Sequence, residues 1–322
     1  QDFLNISISG GTGDADLYIK RGSKPTTTSW DYRPYLIGNN ESVEIANPAA
    51  ATWYIMLRAY QAYSGVTLVA TYGTTKVGNN FTVDPRCVAL WRFEPDQLLV
   101  DSIGSNTLGT SGTPTANTAD YKEGEASGDT QNGYFRIDDA DLDPGFPLKS
   151  GVATPQFSVA FWMNAREGSA TQVSGAGMYV KGAETGPYAY SFAIGLYEPS
   201  GAGSATIRFS IGQPDGVHLR FFNTDATKII QRDQWYHIGV TYQEGDASGT
   251  IELCIYDPSD DSVDIVTLTT TKIPVFDGPL ALGLFRWSAS RFNGLLDEVV
   301  VFNEALTPEE IDQIRQGIYG KP

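Results

Sequence analysis

One pattern recurs along nearly the whole chain: a short run of β-branched and aromatic residues, then a break of Gly, Asn, Asp or Pro. FLNISISG (3 to 10), TWYIMLRA (52 to 59) and VTLVATY (66 to 72) show it first. From residue 87 onward it returns in CVALWRF, FSVAFWMN, YAYSFAIGLY, ATIRFSIG, WYHIGVTY, TIELCIYD, ALGLFRW and LDEVVVF. Such runs at short spacing with turn-rich joins form antiparallel sandwiches or barrels rather than alternating α/β units, so the chain reads as all-β. One helix is expected. Thr307 supplies an N-cap, Pro308 the first helical position and Glu309 and Glu310 a first acidic turn; Ile311 and Ile314 face the body and Gly317 stops it.

At 322 residues the chain exceeds what one core usually serves, which predicts two domains. The boundary falls in GTTKVGNNFTVDPR, 73 to 86, where periodicity is lost, giving domains at 1–72 and 86–319 with a linker at 73–85. Thirty-eight acidic against 22 basic residues leave a net charge of −16, which repels phosphate backbones and anionic lipid. Nucleic acid is excluded as a partner, and cations such as calcium or neutral ligands are favoured. No apolar run reaches the roughly 20 residues that cross a bilayer, so membrane insertion is not expected. The start at Gln1 reads as a processed end whose targeting segment is already gone. Cys87 and Cys254 lie in no CxxC and allow either two buried thiols or one bridge.

GDADLYIK (13 to 20) sets Asp14 and Asp16 between a glycine and an alternating apolar run. These acids either fix a turn through nearby backbone amides or join Asp31 or Glu41 around calcium. Trp30, Tyr32 and Tyr35 lie in a polar, Pro-containing loop, and Tyr60 and Tyr63 flank a second turn. Rings on loops suit sugar faces or extended peptides; otherwise they fill a small core. GGTGDADLYIKRGSKPTTTSWDYRPY, then GNNE, then TWYIMLRAYQAYSGVTLVATY, closely resembles the bacterial pre-peptidase C-terminal domain. The resemblance implies a small β-sandwich attached to a secreted bacterial hydrolase, with collagen or insoluble polysaccharide as ligands of similar domains. That family carries a further strand or two before GGTGDADLY, which implies a domain shortened at its N-terminus or one with an open edge.

VALWRFEPDQLLVDSIGSNTLG, FSVAFWMNA, QWYHIGVTYQEGDASGTIELCIYD and RFNGLLDEVVVFNEALTPEEI resemble, in order, the concanavalin-like, laminin-G-like jelly roll. The whole then reads as a small β-sandwich followed by a larger concanavalin-like antiparallel β-sandwich (jelly roll) with a short C-terminal helix. This family often links the loop after the first strand to a C-terminal strand through calcium, which implies Asp101 and Asp297 as ligands, completed by Asn106; the alternative is a pair of loop caps. Arg286, Trp287 and Arg291, with His218 and Arg220, offer a ring and planar cations for a carboxylated or sulfated sugar, or else neutralise nearby acids. Trp162, Trp235 and His237 lie in strong β runs and are expected in the core.

Catalysis finds little footing. Retaining glycosidases need two carboxyl groups about 5 Å apart. Glu298 and Glu304 lie six apart, about 20 Å along a strand, and no E-x-D-x-x-E, HExxH, P-loop or GxSxG motif occurs. The sequence therefore points to a non-catalytic, extracellular, bacterial carbohydrate-binding region, secreted or on the cell surface, that anchors an enzyme or adhesin to a polysaccharide or glycan. The alternatives are an adhesion module for a collagen-like or surface protein, or a polysaccharide-degrading enzyme with an unfamiliar site.

Overall fold

The computed structural model describes the chain apart from residues 1–2, 47, 74–77, 167–175, 183–189, 198–204, 213–218, 224–228, 259–260, 285–290 and 322, with backbone alone at 46, 73 and 219–223. It divides into two compact units, residues 1–77 and 78–322.

The first unit holds β1 (Phe3–Ser9), β2 (Thr12–Arg21), β3 (Glu41–Ala46), β4 (Trp53–Ser64) and β5 (Thr67–Gly73). They form a three-stranded sheet, β3-β1-β5, and a two-stranded sheet, β2-β4. Leu4, Ile6 and Ile8 are buried in β1 while Asn5 and Ser7 are only half-buried, the period of two that a one-sided strand requires. These residues pack on Ala15, Leu17 and Ile19 of β2, with Val43 and Ile45 beside them. Each such Leu or Ile contributes about 1.5–3 kcal/mol. The GGTGD stretch has a steric cause: a Cβ on Gly11 would meet Ser64 O at 2.3 Å and one on Gly13 would meet Ala62 O at 2.0 Å. β2 and β4 thus approach closely only because these positions carry no side chain.

The second unit adds β6 (Cys87–Trp91), β7 (Gly109–Gly112), β8 (Thr115–Asn117), β9 (Ser127–Asp129), β10 (Gly133–Ile137), β11 (Gln156–Ala165), β12 (Ala176–Gly182), β13 (Tyr190–Tyr197) and β14 (Thr206–Gly212). It continues with β15 (Leu219–Asn223), β16 (Trp235–Glu244), β17 (Gly249–Asp257), β18 (Ser262–Thr270), β19 (Leu280–Leu282), β20 (Gly294–Phe302) and α1 (Pro308–Arg315). One sheet runs β15-β14-β13-β12-β19-β10-β7; the other runs β18-β17-β16-β11-β20-β9-β8, with β6 also on β20. Phe157, Val159, Phe161 and Met163 of β11 and Ile238, Val240 and Tyr242 of β16 belong to one buried cluster with Phe192, Ile194, Phe209 and Ile211 of the first sheet. The expected all-β architecture is present in both units.

α1 forms as the sequence dictates. Thr307 and Glu310 close a capping box, Ile311 and Ile314 are buried, and Gly317 follows at φ 70°. It covers a patch of Ala160, Cys254, Val300 and Phe302. Gly239 lies beneath it, where a Cβ would stand 2.2 Å from Ile311 Cγ2. The expected linker, 73–85, is not all linker: Phe81 is buried against Phe302 and Tyr319, and Asn79 donates to Ile314 O and accepts from Tyr319 N. Cys87 and Cys254 are two free, buried thiols.

Candidate functional site

In the first unit the loop between β2 and β3 is tied to the β2 backbone: Ile19 N donates to Tyr32 O, and Asp31 N and Tyr32 N donate to Ile19 O. Asp31 also accepts from Arg21 N. This pinning leaves rings at the surface. Trp30 is 42% exposed and Tyr60 57%, with Tyr32, Tyr35 and Tyr63 also exposed. Tyr35 and Tyr60 meet edge to face at 6.2 Å, and Tyr32 lies 6.2 Å from Trp53. Tyr35 has φ 58°, a left-handed conformation uncommon for a bulky residue. The guanidinium of Arg33 sits 3.5 Å from the Tyr35 ring centre, 5.0 Å from Tyr18 and 6.0 Å from Trp30.

Tyr35 and Tyr60, with Leu36, Ile37 and Gln61, line a depression of about 290 Å³ that Asp14 and Asp16 also line. The acids differ in how they are satisfied. Asp14 accepts from Gly38 N, and the two oxygens of Glu41 accept from Leu17 N and Leu36 N. These bonds tie the loop before β3 to β2 and to the acids beside it. Asp16, 1% exposed, has an Oδ2 with no hydrogen-bond partner; Arg58 Nη1 stands 3.7 Å away. Burial pushes the Asp16 carboxyl up, against the lowering by Arg33, while Asp14 raises it and Arg58 lowers it. Arg33 Nε is likewise buried without a hydrogen-bond partner. Gln61 completes the lining, and Arg33 lies against the Tyr35 ring. Tyr35 was legible as a loop aromatic; Arg33 and Gln61 carried no signal.

In the second unit the expected ligand residues scatter. His218, Arg286 and Trp287 lie outside the described residues; Arg220 is placed on β15 by its backbone alone. Arg291 is exposed and bridges Leu284 and Gly177. Trp162 is buried on the sheet face opposite the main core, 5.0 Å from His237, with the Lys122 ammonium 4.6 Å from its ring centre. Trp235 departs from the core expectation: it is half-buried, and its indole N–H donates to Asp120. Burial, with Arg315 nearby, lowers His237 to about 3, so it is a neutral packed residue and no base.

The residues implied as calcium ligands separate into two groups. Asp101 Oδ1 accepts from Leu90 N and Ile103 N, and its Oδ2 from the backbone and side-chain amides of Asn106. Asn106 also bonds Asp143, an acid the sequence did not flag. Asp297 instead accepts from Lys122 N, Glu123 N and Glu298 N. Asp101 thus meets four N–H donors and Asp297 three, supplied by different segments of the chain. Among the described residues no group of three or more His, Cys, Asp or Glu could hold a metal. Burial pushes Asp297 up to about 7, and its neighbour Glu298 well above the usual range for the same reason, with Arg92 opposing.

Comparison with known proteins bears on both units. The profile of the Concanavalin A-like lectin/glucanases superfamily matches residues 129–312, and that of the bacterial pre-peptidase C-terminal domain matches 1–59. A zinc metalloprotease of Helicobacter pylori is 64% identical over 63 residues, 20% of this chain and 25% of that protein. The hemagglutinin/proteinase of Vibrio cholerae serotype O1 is also 64% identical over 63 residues, 20% of this chain and 10% of that protein. The matched stretch thus spans a quarter or less of these curated relatives. The receptor-binding domain of botulinum neurotoxin C/D mosaic serotype superposes with a TM-score of 0.50 at 11% identity, over 72% of this chain and 51% of that chain, a likeness of fold alone.

Proposed function

The chain belongs to the concanavalin A-like lectin/glucanases superfamily, and on that premise we propose that it is an extracellular binding region of a larger secreted bacterial protein, with a polysaccharide as its ligand. The observation that carries this reading is the aromatic depression of the first unit. Exposed Tyr35 and Tyr60 line the same depression as Asp16, whose buried Oδ2 is an acceptor without a hydrogen-bond partner, and Arg33, whose buried Nε is a donor in the same state, lies against Tyr35. Flat apolar rings beside an unmet donor and acceptor complement a sugar, whose C–H face stacks while its hydroxyls both give and accept hydrogen bonds. The high identity to parts of bacterial proteases supports a role as an accessory region of a secreted enzyme. The likeness of the first domain to protease regions keeps a protein ligand as the alternative. Co-sedimentation of the full chain with insoluble glucans, chitin and collagen tests the class of ligand. Retention on a polysaccharide supports the reading; retention on collagen alone overturns it in favour of an adhesion module.

A further inference from the structure

The same depression carries information about which sugar it takes, an inference that rests on the carbohydrate reading above. We propose that the depression over Asp14 and Asp16 receives the protonated 2-amino group of an amino sugar, so that a de-N-acetylated aminoglucan is bound in preference to neutral or N-acetylated glucans.

Charge is the first argument. Asp14, Asp16 and Glu41 are all buried here, and two guanidiniums, Arg33 and Arg58, adjoin them. Three carboxyl groups thus stand against two guanidiniums before any ligand arrives. The −16 of the whole chain does not arise in this unit, because residues 1–77 carry six acidic and six basic residues. The excess is local, and an anionic sugar would meet it at close range.

Hydrogen bonding is the second. Glu41 and Asp14 are engaged by backbone N–H groups, whereas Asp16 Oδ2 accepts nothing. Arg58 Nη1, at 3.7 Å, is beyond hydrogen-bond reach. A buried carboxylate oxygen left open costs free energy that a donor recovers, and a charged donor recovers most. An ammonium brings three donors and a full charge; a hydroxyl brings one donor; an N-acetyl group brings one N–H, no charge and an added acceptor.

Shape is the third. About 290 Å³ lies at the small end of ligand sites and suits one sugar ring. Tyr35 and Tyr60 offer negative ring faces to a cation, and Leu36 and fully exposed Ile37 offer apolar area to ring C–H groups.

The test is calorimetry of the full chain with hexamers of β-1,4-linked glucosamine, N-acetylglucosamine and glucose. It is run at about pH 5, where the amino groups of the glucosamine hexamer are protonated. The glucosamine hexamer is expected to bind at least tenfold more tightly than the other two, and Asp16→Asn to abolish that preference. Should Asp16→Asn fail to fold, Asp14→Asn, whose amide oxygen still accepts from Gly38 N, is expected to narrow the preference at least threefold. Equal binding of all three hexamers overturns the amine assignment and leaves the carbohydrate reading standing. A preference unchanged by either substitution also overturns it, as diffuse attraction to the acidic second unit. Binding of a lysine-rich peptide with no hexamer bound overturns both.

Discussion

Tyr35 and Tyr60 meet edge to face at 6.2 Å across a depression that Asp14 and Asp16 also line. They come from different places, one from the loop after β2 and one from the middle of β4. Their meeting therefore depends on the pinning of that loop through Asp31, Tyr32 and Ile19. The site is a surface feature built on a sheet.

The closeness of β2 and β4 yields a stability prediction. Gly13 has φ 90° and a Cβ there would meet a carbonyl oxygen at 2.0 Å. Gly13→Ala is expected to destabilise the first unit by more than about 2 kcal/mol, through backbone strain and overpacking together. Denaturant unfolding followed by a probe in that unit checks it.

Asp297 and Glu298 predict a pH dependence with a definite sign. Burial raises both above their unfolded values, Asp297 to about 7. From about pH 4 upward the folded state binds more protons than the unfolded one, so stability falls as pH rises, the share from Asp297 levelling off above about pH 7. The two acids face Glu123, Glu94 and Arg92 and titrate as a coupled set. Glu298→Gln is expected to flatten the fall in Tm over that range.

How far these features were legible differs by residue. The strands, the Thr307 to Gly317 helix and the GGTGDADLY turn follow from periodicity, capping and glycine content, which are local. Asp101 and Asp297, implied as partners, take separate sets of N–H donors. Sequence order places both near sheet ends, but the bond partners depend on which loop folds over which strand: 120–125 reaches Asp297, while Asp143 reaches Asn106. Glu298 stands next to Asp297 in sequence, yet its burial follows from a register shift that shows only once β20 pairs with β11. Arg33 looked like any loop cation until its contacts with three rings were in place.

Asp101 accepts four N–H donors and acts as a loop cap. Asp101→Asn turns one acceptor into a donor facing Leu90 and Ile103 or Asn106, and is expected to cost about 2–4 kcal/mol. The loss should be the same in added calcium and in chelator. A loss seen only with calcium would make Asp101 a metal ligand.

Lys181 is fully buried, with Nζ bonded to Asp139 and to Gly278 O at 2.6 Å each. Burial lowers its amine, and Asp139 opposes that. Lys181→Met leaves Asp139 buried without its ion partner and is expected to cost about 3–5 kcal/mol. Adding Asp139→Asn should restore part of that loss, which thermal unfolding of the single and double variants measures.

The affinity of Tyr35→Ala and Tyr60→Ala, measured beside the unaltered chain on whichever polysaccharide retains it, tests the central claim most directly. Loss of a stacking ring should weaken binding about tenfold in each, or about 1.4 kcal/mol, with Tm unchanged because both rings are exposed. Affinity unchanged in both variants would contradict the account and move the binding surface off the first unit.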